Sequence, residues 1–289
     1  MTLSDAASVA WEVDGLTYAG LAWGDPDDPP AIALHGWMDN ALSFSRLGPA
    51  LRSRRLLALD LSGHGLSSHR SPDAGYQLWD DIPQLVNIVA QMEQAPITLI
   101  GHSKGAAIAT LLASILGERC DRLILIDGLL PGAPSSDSPA TQLAQFVRDR
   151  QKYLDRGERI FADLDAFVAA RTRYGFSEDN ARTLAPRALE AIGDGYRLRA
   201  DPRLFGASAV KFSSSDRQAF YRTLPMPVLA IFGDRGFFRS ESAEQMVSEA
   251  AECIPNFRST ILPGTHHLHL ESDVEQVAWR IENFIESGP

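Results

Sequence analysis

Short apolar runs of strand length alternate along the chain with longer segments of helical periodicity. Ala31–Leu34, Leu56–Leu61, Ile97–Ile100, Leu123–Asp127, Val228–Phe232 and Ser259–Leu262 read as strands. Between and after them, Phe44–Arg52, Tyr76–Met92, Lys104–Gly117, Ser242–Ala251 and Asp273–Ile285 carry the 3.6-residue pattern of helices. Pro83 would kink or break the second of these. Ser8–Val13 and Leu16–Trp23 read as a hairpin on the edge of the same sheet. Strands that are apolar throughout, separated by helices, predict a mostly parallel sheet covered on both faces. The count of such runs is eight, and the predicted class is α/β.

From Pro131 to about Leu224 no run reads as a strand. Helical pattern recurs there at Thr141–Leu154, Phe161–Arg171 and Arg182–Ile192. Crossovers in compact α/β units are usually far shorter. The expected organisation is therefore a core built from 1–130 and 225–289, with 131–224 inserted as a helical cap.

Composition narrows the function classes. The 289 residues are 45% hydrophobic and 22% charged, which excludes disorder. A formal charge of −10, with no basic cluster beyond pairs such as Arg54–Arg55, argues against nucleic acid and anionic membrane as partners. Two cysteines, Cys120 and Cys253, make neither a disulfide framework nor a metal-type pair. Met1–Val9 carries neither a basic segment nor an apolar run, so no secretory leader is expected, and no stretch approaches the ~18 apolar residues of a membrane span. A cytoplasmic protein with a small-molecule substrate is the expectation; oligomeric state is not legible.

The chemistry concentrates in four loops. Gly101-His102-Ser103-Lys104-Gly105 fits G-x-S-x-G and lies between the strand ITLI and a helix rich in small residues. That context is what a nucleophile elbow requires. Small neighbours let strand and helix nearly touch, and Ser103 stands at a helix N-terminus that favours developing negative charge. His35-Gly36-Trp37 follows the first central strand. Acyl transfer needs two N–H donors aimed at the oxyanion; Lys104, after the nucleophile, and Trp37 are the candidates. His35 reads as structural. Asp60–Ser67 holds two close glycines but lacks the last glycine of G-x-G-x-x-G, since Ser68 stands there, so a dinucleotide cofactor is disfavoured. Thr265-His266-His267-Leu268-His269-Leu270-Glu271 brings three histidines together without a further Cys or acidic cluster. One general base with two packed or solvated histidines is a simpler reading than a metal site.

The order H-G-W, D-x-x-G-x-G-x-S, G-H-S-x-G and a late His resembles the α/β-hydrolase superfamily. Within it, Leu34–Asn40 and Gly63–His69 resemble the serine hydrolase-like proteins. The resemblance implies His266 as the base, with Thr265 in place of the usual glycine before it. It also implies an acid in a G-x-x-D turn after the penultimate strand. Here that turn is Gly233-Asp234-Arg235-Gly236, so the usual acid position is a glycine. Two carboxylates have the right chain order. Asp127 ends the strand LILID, a position from which some members of the superfamily draw their acid. Asp234 lies in the expected turn, two residues early. Hydrogen-bond reach favours Asp127, and Asp234 remains the alternative.

Serine at the elbow points to acyl transfer. The expected activity is that of a serine hydrolase on a carboxylic ester, thioester or lactone, with no metal or organic cofactor. An acyltransferase on the same residues, and a non-catalytic ligand-binding protein, are the alternatives. Phe161, Phe167, Tyr174, Phe176, Phe205 and Phe212 are candidates for an apolar acyl pocket, or for the core of the cap. A Lys beside the nucleophile would select anionic substrates if its ammonium reached the cleft.

Overall fold

The computed structural model describes residues 6–94, 96–132, 138–236 and 241–287. The residues at 1–5, on which part of the leader reading rests, and those at 133–137, where the insertion begins, lie outside it.

Strands β1 (Ala7–Val13) and β2 (Leu16–Trp23) form an antiparallel hairpin. Asp14 and Gly15 at its turn both have positive φ, 52° and 76°, the conformation an Asp-Gly pair adopts in a two-residue hairpin turn. Strands β3 (Pro30–Leu34), β4 (Arg55–Leu59), β5 (Ile97–His102) and β6 (Cys120–Ile126) follow. The eight-stranded sheet runs β1-β2-β4-β3-β5-β6 and is completed by two strands near the C-terminus, Val228–Arg235 and Phe257–Thr265. Every pairing from β4 onward is parallel.

The strands are apolar throughout because both faces are covered. Along β3, Ala31 and Ala33 join one core, with Phe44, Leu47 and the helix Val274–Glu286; Ile32 and Leu34 join the other, with the helices Ile82–Ala90 and Lys104–Leu116. A period of two thus shares one strand between two cores.

Helix positions differ from the sequence pattern in two places. Phe44–Arg52 is not one helix: a 3-10 turn at Ala41–Phe44, capped by the Asn40 side chain on Leu42 N, is followed by a single turn, α1 (Leu47–Ala50). The Gly48-Pro49 pair interrupts any longer helix. Helix α2 spans Ile82–Ala90, not Tyr76–Met92. Pro83 stands in its first turn, where its missing N–H costs nothing, so it starts the helix instead of kinking it. Helix α3 (Lys104–Leu116) follows β5 directly.

Between β6 and the late strands the chain forms α4 (Pro139–Arg156), β7 (Ile160–Phe161), α5 (Leu164–Thr172), α6 (Glu178–Ala188), β8 (Leu189–Ile192), β9 (Gly195–Leu198) and α7 (Ser214–Arg222). The expectation of a segment without strands is corrected here. The run expected to be helical to Ile192 leaves the helix after Ala188, and β8 and β9 pair antiparallel across Gly193 and Asp194. Gly193 has φ 52°, and Gly-Asp-Gly between Leu189–Ile192 and the alternating Tyr196-Arg197-Leu198-Arg199 is a hairpin signal. β7 joins them in a small sheet ordered β7-β9-β8. β10 (Val228–Arg235), α8 (Glu241–Cys253), β11 (Phe257–Thr265) and α9 (Val274–Glu286) complete the core.

Buried arginines fasten this insertion to the core. Arg187 of α6 donates to the Asp60 carboxylate at 2.6 Å, Asp60 being fully buried just after β4; the same carboxylate accepts Ala41 N and Leu66 N, each at 2.7 Å. Arg171 of α5 reaches Asp39 at 3.1 Å. Removing one partner of such a pair strands a buried charge. Arg187→Met is therefore expected to lower stability by ~3–5 kcal/mol, read as a fall in the urea midpoint at unchanged m. A loss within experimental error would show that Asp60 does not depend on Arg187.

Candidate active site

Ser103 occupies the sharp turn between β5 and α3, with φ 52° and ψ −117°. A non-glycine residue holds such a conformation only where its surroundings impose it. Ser103 N donates to Ile126 O at 3.0 Å, and Ser103 O accepts Ala106 N at 3.0 Å. The crossing is so close that a side chain at Gly105 would collide with the carbonyl oxygens of Leu34 and His35. The loop after β3 is thereby pressed against the elbow.

His266 follows β11 on a short loop. Thr265 N donates to the Glu271 carboxylate at 3.2 Å and the Thr265 hydroxyl bonds to it as well, closing the loop on itself. His266 Nε2 lies 3.0 Å from Ser103 Oγ, and His266 Nδ1 lies 2.6 Å from Asp127 Oδ2. A carboxylate accepts only, so Nδ1 carries the proton and Nε2 accepts from the serine hydroxyl.

Asp127 sits just past β6 with φ 43° and is buried. Its N–H donates to Ile231 O at 2.8 Å and its Oδ1 accepts Gly233 N at 3.0 Å, so strand β10 holds both ends of the residue. A Cβ at position 236 would stand 2.6 Å from Asp127 Oδ2. The two acid positions therefore compete for one space, and a glycine at 236 goes with a carboxylate at 127. Asp234 is turned elsewhere. It is exposed, accepts Gly264 N at 2.9 Å and lies 3.2 Å from Arg235. Among the described residues it makes no hydrogen bond to His266, and its role is to hold the end of β11.

The two candidate oxyanion donors are the amide of Lys104, which adjoins Ser103, and that of Trp37 on the loop after β3. Lys104 is the first residue of α3, so its N–H has no intrahelical acceptor. Among the described residues no backbone acceptor faces Trp37 N. The Trp37 indole N–H donates to Leu204 O at 2.8 Å, and its ring meets Tyr174 and Phe205 edge-on at 6.0 and 5.6 Å. The loop carrying one amide is thus clamped by the insertion. Lys104 as a residue is half-buried, and its ammonium makes no salt bridge among the described residues. Burial lowers its pKa, and the nearby carboxylates Asp81 and Asp80 oppose that shift. His35 ties loops together as expected: Nδ1 donates to Gly36 O at 2.8 Å and Nε2 accepts Leu61 N at 3.0 Å, while burial lowers its pKa.

Three further histidines crowd behind His266. The His102 ring lies 4.7, 4.9 and 4.2 Å from those of His266, His267 and His269. His102 Nε2 donates to His266 O at 2.9 Å, and burial brings its pKa down to about 4. His269 Nε2 lies 2.9 Å from Ser43 Oγ, and burial depresses its pKa strongly. The Asp39 carboxylate stands among them, 3.5 Å from His102 Nδ1 and 3.6 Å from His267 Nε2, with Arg171 on its other oxygen. Arg171 stacks on Phe176 at 3.8 Å, and Phe176 lies on His267 at 4.0 Å. Asp39 carried no role in the sequence reading and Arg171 carried no signal, being 132 residues away in the chain.

The aromatic candidates separate. Phe161, Phe167 and Phe176 are buried in the hydrophobic cluster that also covers one face of the large sheet. Phe212 packs on Trp79 and Phe220. Tyr174 and Phe205 line a cavity of about 400 Å³, with Tyr153, Arg159, Ile160 and Leu198 among its other walls.

The comparisons agree on one family. Residues 29–273 match the model of the α/β-hydrolase fold. Serine hydrolase-like protein 2 of Homo sapiens is 29% identical over 286 residues, covering 93% of this chain and 90% of its own. A hypothetical protein from Pseudomonas aeruginosa PAO1 superposes with a TM-score of 0.88 at 34% identity, over 97% of this chain and 99% of its own. The thioesterase domain from the curacin biosynthetic pathway shares the fold, with a TM-score of 0.83 at 23% identity over 96% and 99% of the two chains.

Proposed function

The chain belongs to the α/β-hydrolase family, and we propose that it is a serine hydrolase of carboxylic esters, thioesters or lactones working through an acyl-enzyme. The observation that carries this is the unbroken relay from Ser103 Oγ through His266 to Asp127, with contacts of 3.0 and 2.6 Å.

In the first half-reaction Ser103 Oγ attacks the carbonyl carbon and its proton passes to His266 Nε2. Asp127 stabilises the imidazolium through Nδ1–H. The Trp37 and Lys104 amides are the donors that receive the oxyanion. Collapse breaks the acyl–oxygen or acyl–sulfur bond, and the leaving alcohol or thiol takes the proton from Nε2. Water then attacks the acyl-Ser103 ester with His266 again as base, releasing the acid and restoring the hydroxyl. No step calls for a metal or an organic cofactor.

We assign the inserted segment, within 131–224, the role of a cap that shapes the substrate site. The 400 Å³ cavity is of the size that holds a small ligand, and Trp37 links its walls to the elbow. Its walls are mixed, with Tyr153, Tyr174, Ile160 and Phe205 beside Arg156, Glu158 and Arg159, which suits a substrate with both an apolar and a polar part. No helix among the described residues is long and apolar enough to cross a membrane. The free, buried Cys120 and Cys253 suit the reducing cytoplasm.

A panel of chromogenic esters and acyl-thioesters of graded chain length tests the reading. Turnover of at least one acyl series with saturation kinetics is expected. Stoichiometric binding without turnover of any ester or thioester would replace the enzyme by a ligand-binding protein.

A further inference from the structure

His102, His266 and His267 can each bring one ring nitrogen within 4.8 Å of the other two. We propose that these three histidines form an inhibitory binding site for a borderline transition-metal dication, with Zn²⁺ the best fit. Its occupancy withdraws His266 from Ser103. The inhibition rests on the hydrolase reading above; the binding does not.

One of the three ligands is already prepared, and a second lies beside a buried carboxylate. Metal-bound histidines typically have one ring nitrogen fixed by an oxygen acceptor, so that the other presents its lone pair. His102 Nε2 is committed to His266 O at 2.9 Å, and the Asp39 carboxylate lies 3.6 Å from His267 Nε2. The remaining nitrogens, His102 Nδ1 and His267 Nδ1, are buried and have no hydrogen-bond partner among the described residues. Orphaned buried nitrogens are rare and call for a reason. Here the reason is electrostatic as well. With its proton on Nε2, His102 turns the Nδ1 lone pair toward Asp39 Oδ2 at 3.5 Å, an arrangement that a cation relieves.

The third ligand supplies the adjustment. A tetrahedral zinc site with Zn–N bonds of about 2.0–2.1 Å sets its nitrogens ~3.3 Å apart, so each pair closes by ~1.5 Å at most. His266 can make that movement, since its side chain is 28% exposed while His267 is held at 3%. A metal requires a nitrogen freed of its proton or its hydrogen bond. Either His266 nitrogen that ligates thereby leaves Ser103 or Asp127, and the relay is broken. Nitrogen donors favour zinc, copper and nickel over magnesium or calcium.

Zinc titrated into the protein during ester turnover should abolish activity, with full recovery on adding EDTA. His267→Phe keeps the ring packing against Phe176 and removes a ligand; the zinc concentration for half-inhibition should rise by at least roughly 10–100-fold, the range lost when only an outer-shell partner of a ligand is removed. A second measurement is independent of turnover. Ser103→Ala loaded with Co²⁺ should show the visible ligand-field bands of a tetrahedral nitrogen site, and the added His267→Phe substitution should remove them. Half-inhibition unmoved by His267→Phe, or Ser103→Ala without cobalt bands, overturns the site. Cobalt bands in a Ser103→Ala protein that still turns over esters would instead uphold the site and sink the nucleophile.

Discussion

Ser103→Ala should lower kcat on any ester the protein turns over by roughly 10⁴–10⁶, the range found when a member of a Ser-His-Asp unit is removed. The size of the loss follows from the elbow. No other hydroxyl in this loop is presented by a backbone at φ 52° at a helix start, 3.0 Å from an imidazole that is itself oriented by a buried carboxylate. Alanine keeps the backbone and both amides in place, so KM should change little while kcat falls. His266→Ala should cost nearly as much, and the double variant little more than either single one, because the two act as one unit. A Ser103→Ala protein that retains most of its turnover would move the nucleophile elsewhere.

Asp127→Asn should lower kcat by about 10⁴, as an amide in place of the triad acid leaves the imidazole in the wrong tautomer. Asp234→Asn should leave kcat within a few-fold, since Asp234 holds Gly264 N and does not reach His266. The paired comparison separates orientation of the base from general loss of negative charge, because both substitutions remove one carboxylate from the C-terminal end of neighbouring strands, β6 and β10. The double variant Asp127→Gly with Gly236→Asp sharpens it: clearing position 127 opens the space that a side chain at 236 needs, and partial recovery relative to Asp127→Gly alone is expected. A larger loss from Asp234→Asn than from Asp127→Asn would return the acid to the turn after β10.

The parallel sheet was legible because its strands are apolar along their whole length, and the elbow because strand, G-x-S-x-G and helix follow without a gap. The meeting of His266 with Ser103 was legible from its place after the last strand. The carboxylate that meets His266 was legible only in part. Gly236 announced that the usual position was empty, but the collision between a side chain there and the Asp127 carboxylate is a contact across more than a hundred residues. Boundaries failed where local signals compete with periodicity. Gly48-Pro49 cut short an apparent helix, Pro83 opened one it was expected to kink, and the Gly193–Gly195 hairpin hid inside a helical count. Arg171 and Arg187 were invisible as fasteners, since a cation on a helix reads as solvated surface until its buried carboxylate is seen.

The central claim is that Ser103 becomes acylated during turnover. Its most direct test is intact mass and peptide mapping after exposure to a fluorophosphonate and, separately, after rapid acid quench with a slowly hydrolysed ester. The expected result is one adduct per chain, carried by the peptide containing Ser103 and absent from Ser103→Ala and His266→Ala. An adduct on another residue, or hydrolysis with no adduct under either reagent, would contradict it.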